Sequence, residues 1–187
     1  QTRYCPPFEC RPKPYRQVFA GGIQVEQMTL FDSERPYKYI MDTSSILSQK
    51  PGETHTRLVY ESQWERIEEY MRSHSIVTCS EIFEEIKDKE IKEWISSQQC
   101  TVLEIDDDIQ NNVRKIVTEN PKMIEFTGKS GTSSGDAFLI ATAMKYGLII
   151  ITEENKDKQM KIPQISKKYG ITSVNITSLC EMEQWKF

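Results

Sequence analysis

At 187 residues, with 37% hydrophobic and 28% charged content, the chain has enough material for one sizeable core and an appendage. A net charge of -4 excludes the general basic coat of a non-specific DNA binder. The longest apolar runs, "AFLIATAM" and "LIII", are too short to cross a bilayer, and no basic-then-apolar leader opens the sequence, so a soluble cytoplasmic protein is expected.

Residues 1–36 differ from the rest. "CPPFECRPKP" is proline-rich, Gly21 and Gly22 follow, and no helical or strand period persists, which predicts a flexible N-terminal tail or linker ahead of a compact domain at 37–187. Cys5, Cys10, Cys79, Cys100 and Cys180 are odd in number and lack CxxC spacing. Only His55 and His74 could join them on zinc, so reduced thiols are expected, with Cys79 packed as a small apolar residue.

From Tyr37 onward strand-like and helix-like segments alternate. "YKYIMD" reads as a strand, and "ESQWERIEEYMRSH" places Trp64, Ile67 and Met71 at helical spacing. "SIVT" is a short extended piece, "SEIFEEIKDKEIKEWISSQ" one helix capped by Ser80, and "TVLEI" a strand. "DDDIQNNVRKIVTEN" opens with acids that suit the positive end of a helix. Pro121, Gly128 and Gly131 then mark a loop that also carries Lys122 and Lys129. "GDAFLIATAMKYG" is apolar nearly all round and should be a buried helix leading into "LIIIT", a central strand. "IPQISKKYG", "ITSVN" and "TSLCEMEQWKF" complete the pattern as helix, strand and terminal helix. This order predicts a largely parallel sheet with helices on both faces. Without GxGxxG or a Walker lysine loop, nucleotide-binding versions of that architecture lose weight.

Parallel sheets place ligand sites at the carboxyl ends of their strands, where Asp42 falls. Three further acids can converge there. On the "SEIFEEI" helix, Cys79, Ile82, Phe83 and Ile86 share a face that Glu85 flanks, whereas Glu81 and Glu84 turn outward. Asp136 opens the apolar helix, a place where an N-cap needs no further role. Glu153 and Glu154 follow the "LIII" strand as Asp42 follows its own, and the pattern leaves the choice between them open. Carboxylates gathered within about 5 Å repel by roughly 3 kcal/mol per pair at an effective dielectric near 20. Such a group needs raised pKa values or a divalent cation, and an all-oxygen donor set favours Mg²⁺ or Mn²⁺ over zinc.

In order, "YIMDTSSI", "VTCSEIFEEI", "SGDAFLIATAMKYGLIIITEE" and "KQMKIPQISKKYGI" resemble the PIN-domain nucleases, including VapC-like proteins and a bacterial subgroup of uncharacterised function. The resemblance covers about residues 38–175 and implies an α/β fold, a PIN-like three-layer α/β/α sandwich with a mainly parallel central sheet. Carried over by position, it implies Asp42, Glu85, Asp136 and Glu154 as catalytic metal ligands, supported by Ser44, Thr152 and Glu153. Glu154 departs from the family, where Asp is commoner. The resemblance further implies Mg²⁺- or Mn²⁺-dependent hydrolysis of single-stranded RNA by an activated water. An RNA substrate, an antitoxin protein and a second copy of the chain are its implied partners. Lys156, Lys158 and Lys161 would then track the phosphate backbone, although such a run is also an ordinary solvated face.

Two alternatives differ in class. A dehalogenase-like phosphatase needs an acid where Ser44 stands, and a receiver domain needs an acid pair on its first strand, whereas "EIDDD" comes later. A catalytically silent PIN-like module that holds a partner is separated from the nuclease by metal response and by cleavage.

Overall fold

A computed structural model describes residues 36–124 and 135–187. Five short strands form one sheet: β1 (Tyr39–Met41), β2 (Ile76–Cys79), β3 (Thr101–Leu103), β4 (Ile149–Ile151) and β5 (Ser173–Val174). Their spatial order is β3-β2-β1-β4-β5, and every pairing is parallel. Parallel neighbours require long crossovers, and these carry the helices that flank the sheet. The middle strand is β1, whose Tyr39, Ile40 and Met41 are wholly buried; the "LIII" strand β4 is interior but one place off centre.

The helices are α1 (Thr43–Leu47), α2 (Glu61–Arg72), α3 (Ser80–Glu85), α4 (Lys89–Ser97), α5 (Asp107–Glu119), α6 (Gly135–Tyr146), α7 (Ile162–Lys168) and α8 (Ile176–Met182). On α2 the spacing of Trp64, Ile67 and Met71 does what it predicts, and all three are buried. Helix α6 buries most of its length and packs on α5, α3, β2 and β4, as expected of a helix with no polar face.

Two local expectations need correction. The "SEIFEEIKDKEIKEWISSQ" stretch is two helices, because Ile86 takes an extended conformation (φ -68°, ψ 110°) to enter the core and Asp88 restarts the chain. The Asp88 carboxylate accepts from the Glu90 and Ile91 amides, a side-chain N-cap. Ser80 is the first residue of α3, and the cap position is Cys79, which makes no capping side-chain bond. Helix α1 is an element the sequence pattern does not separate from the strand before it. Pro121 begins a 3-10 turn, Pro121–Ile124, while Gly128, Gly131 and Lys129 lie outside the described residues. The tail or linker expected over residues 1–36, with Cys5 and Cys10, likewise lies outside them apart from Pro36.

Cys79, Cys100 and Cys180 are free thiols. Burial pushes the Cys79 thiol up to about 11, so it packs as a neutral small side chain. Among the described residues no helix is long and apolar enough to cross a membrane.

Strand order places the site. From β1 the chain moves to β2 and β3 on one side, then returns to β4 and β5 on the other. The connections leaving β1 and β4 therefore diverge, opening a crevice at the carboxyl ends of these two adjacent strands. Met41 pairs with Ile151, so the next residues, Asp42 and Thr152, emerge side by side at that crevice.

Candidate active site

Asp42 ends β1 and caps α1, accepting from the Ser44 amide at 3.3 Å. The Ser44 hydroxyl donates to the same oxygen, Oδ2, at 2.6 Å, and the Thr152 hydroxyl donates to it at 3.0 Å. Ser44 and Thr152 lie 3.2 Å apart and are themselves aligned by the turn after β4. The Glu153 amide donates to Ser44 Oγ at 3.0 Å, and the Glu154 amide to Thr152 Oγ1 at 3.2 Å. Three donors thus fix Asp42 through one oxygen. Burial pushes its carboxyl upward, the two hydroxyls oppose this, and the charge of Glu154 adds to the rise.

Glu85 closes α3. Its Oε1 accepts the Gly135 amide at 3.1 Å, and its Oε2 accepts the Thr43 hydroxyl at 3.3 Å. Gly135 is the cradle for this carboxylate: a Cβ there would lie 2.7 Å from Oε1, 2.8 Å from Cδ and 2.9 Å from Oε2. Burial raises the Glu85 pKa, these two bonds lower it, and the Asp42 charge raises it again. The sequence pattern does not single out Gly135 or Thr43. The signal for Gly135 was the glycine beside Asp136 in "SGDAF", which marks close backbone approach as readily as a loop.

Asp136 lies within the first turn of α6 rather than at a cap position, because the helix already includes Gly135. It is 5% exposed, and its Oδ2 is buried with no hydrogen-bond partner among the described residues. Burial pushes this carboxyl up to about 8; Asp42 and Glu154 add to the rise, Lys161 opposes it, and Glu85 contributes further. One crevice therefore gathers the fields of all four acids, drawn from four separate segments.

The acids do not, however, form an array. Among the described residues no group of three or more His, Cys, Asp or Glu side chains stands ready to hold a metal ion. Glu85 is turned onto Gly135 and Thr43. Glu154 carries the Lys161 ammonium on Oε1 and accepts the Ile162 amide at 2.9 Å on Oε2. Glu153 faces elsewhere: it accepts the Ile176 amide at 2.8 Å and stands 3.6 Å from His55 Nε2. Between the two neighbours, Glu154 is the one whose field reaches Asp42 and Asp136. Lys156 and Lys158 are exposed on the loop after Glu154, and Lys161 is half-buried against it. Lys168 is held by Asn120 at 2.6 Å.

The donor set is chemically suited to a hard cation. It is all carboxylate, two members are buried, and one buried oxygen is unpartnered among the described residues.

A family model described as a domain of unknown function (DUF4411) matches residues 39–187. The chain belongs to this family. Asp42, Glu85, Asp136 and Glu154 all fall inside the DUF4411 region. No curated protein matches the chain. Similar solved structures include PAE2754 from Pyrobaculum aerophilum, at 13% identity over 79% of this chain and 95% of that one, with a TM-score of 0.47. VapBC-1 from nontypeable Haemophilus influenzae is 13% identical over 74% of this DUF4411 chain and 98% of its own, with a TM-score of 0.48. FitAcB from Neisseria gonorrhoeae shows 13% identity over 74% and 98%, with a TM-score of 0.45.

Proposed function

We propose that this DUF4411 protein is a metal-dependent nuclease that hydrolyses phosphodiester bonds of single-stranded RNA. Asp42, Glu85, Asp136 and Glu154 are the acids that would draw Mg²⁺ or Mn²⁺ to the crevice, and both oxygens of Glu154 are already engaged by Lys161 and the Ile162 amide. When bound, such a cation lowers the pKa of a water and offsets charge on the leaving oxygen. The single observation that carries this reading is the Asp136 carboxylate, which places a buried oxygen without a partner among the described residues within the fields of three other acids. A structural acid at this position would be capped or paired.

The chain's own residues do the positioning. Ser44 and Thr152 hold Asp42 Oδ2, so that its other oxygen faces away from these donors. Gly135 and Thr43 hold Glu85. Lys156 and Lys158 stand on the loop beyond Glu154, where they would meet the phosphate backbone before it enters an acidic crevice. This reading includes an antitoxin partner, a homodimer and a cytoplasmic location.

The test is cleavage over a panel of single-stranded and structured RNAs and DNAs. RNA cleavage should stop with EDTA, return with Mg²⁺ or Mn²⁺, and fall by at least about a hundredfold in Asp42→Asn and Asp136→Asn. Mn²⁺ should also raise the melting temperature of the wild type and not of either variant. A second reading, the catalytically silent interaction module, is favoured by the lack of a ready ligand array among the described residues. The exposed apolar side chains of Leu58, Val59 and Phe187 favour it too. Metal binding without cleavage of any nucleic acid in the panel would select that reading.

A further inference from the structure

Glu154 and Asp136 are opposites in how their oxygens are used. Asp136 has a buried oxygen with no partner among the described residues. Glu154 has both oxygens engaged, by the Lys161 ammonium and by the Ile162 amide at 2.9 Å. The pair is sheltered, with side chains 25% exposed for Lys161 and 12% for Glu154, so it is not an ordinary solvated surface contact.

Building on the metal-dependent reading above, we propose that Lys161 is a built-in counter-cation. It neutralises Glu154 and holds it away from Asp42, Glu85 and Asp136, so that the site takes one divalent cation on three carboxylates. Four carboxylates bring four negative charges to the crevice. Lys161 cancels one and a single divalent cation two more, leaving a site that needs no second ion to bear its own repulsion. A tethered ammonium also keeps its place when metal is scarce. The role differs from contact with the phosphate backbone, for which Lys161 would have to leave Glu154.

Mn²⁺ titration by calorimetry on the full chain, without nucleic acid, tests this. Wild type should bind one Mn²⁺. Lys161→Met, which leaves Glu154 without its ammonium, should bind Mn²⁺ about tenfold tighter or take up a second ion. The double variant Lys161→Met/Glu154→Gln restores the charge of the pair and should return to within about threefold of wild type. Loss of binding in the double variant as complete as in Asp136→Asn would make Glu154 a ligand and overturn the proposal. Unchanged or weaker binding in Lys161→Met would overturn it as well. A metal-free unfolding transition establishes that each variant is folded, and the charge-restored double variant carries the test if the single one is not. Wild type that binds no Mn²⁺ at all would bring down the metal-dependent function itself, an outcome distinct from these.

Discussion

A methyl group on Gly135 would sit within 3 Å of every carboxylate atom of Glu85. Glu85 is a flexible side chain and can swing away, losing two hydrogen bonds that are each worth about 1 kcal/mol. Alanine in a helical turn returns up to about 1 kcal/mol over glycine. The two effects are similar in size. Gly135→Ala should therefore keep its unfolding free energy within about 1–2 kcal/mol of wild type while Mn²⁺ affinity and cleavage fall by about tenfold or more; an unaffected site would remove Glu85 from it. Asp136 gives the pH dependence. Its carboxyl lies at about 8 in the fold against 3.8 for the ordinary group, so the folded state holds the proton more tightly than the unfolded state. The sign follows: metal-free protein gains stability from this group below about 4 and loses it as pH rises through about 8. Asp42 and Glu85 are raised as well and act in the same direction. Denaturant titrations of metal-free protein should show stability falling between pH 5 and pH 8 in wild type and a flatter profile in Asp136→Asn.

At the scale of elements, β1 is held at both ends by carboxylates with opposite settings. Its carboxyl end leads into the buried Asp42, whose carboxyl burial pushes upward. At its amino end, the hydroxyl of Tyr39 donates to Glu183, just past α8. Lys38 reaches the same carboxylate at 2.6 Å, and the Tyr70 hydroxyl on α2 does so at 2.7 Å. Burial alone would raise Glu183, but Lys38, Tyr39 and Tyr70 together hold it down at about 2. This acid contributes stability above about 4.5 that is lost as pH falls toward 2, the reverse of Asp136. It ties the last helix to the first strand and to α2. Glu183→Gln should cost roughly 1–3 kcal/mol, because the buried Tyr39 hydroxyl keeps a weaker acceptor. Urea unfolding measures this, and Mn²⁺ binding at the far end of the strand should be unchanged.

At the scale of the whole molecule, the proposed nuclease, with a net charge of -4, would have to bring a polyanion to a crevice of carboxylates, which requires local positive charge at the approach. Lys156 and Lys158 are exposed there and would supply it. Lys156→Glu/Lys158→Glu should weaken RNA binding and lower the slope of log affinity against log salt by about 1.4, at about 0.7 per lost phosphate contact on a single strand. An unchanged slope would place the nucleic acid elsewhere. The sequence by itself determined what depends on near neighbours: the alternation of strands and helices, the parallel sheet, the buried "AFLIATAM" helix, and the position of Asp42 at a strand tip. Periodicity and strand-end position carry this information because they repeat over a few residues. It also marked Ser44 and Thr152, through the resemblance of their motifs, and in the structure both hydroxyls donate to Asp42. The break at Ile86, the Glu85 carboxylate lodged on Gly135, the turn of Glu153 toward Ile176 and His55 and the pairing of Lys161 with Glu154 were decided only by tertiary structure. In each case a side chain or backbone turn answers to a partner from another segment or a bend in its own, and a one-dimensional pattern records which residues are present but not which donor a flexible carboxylate will find.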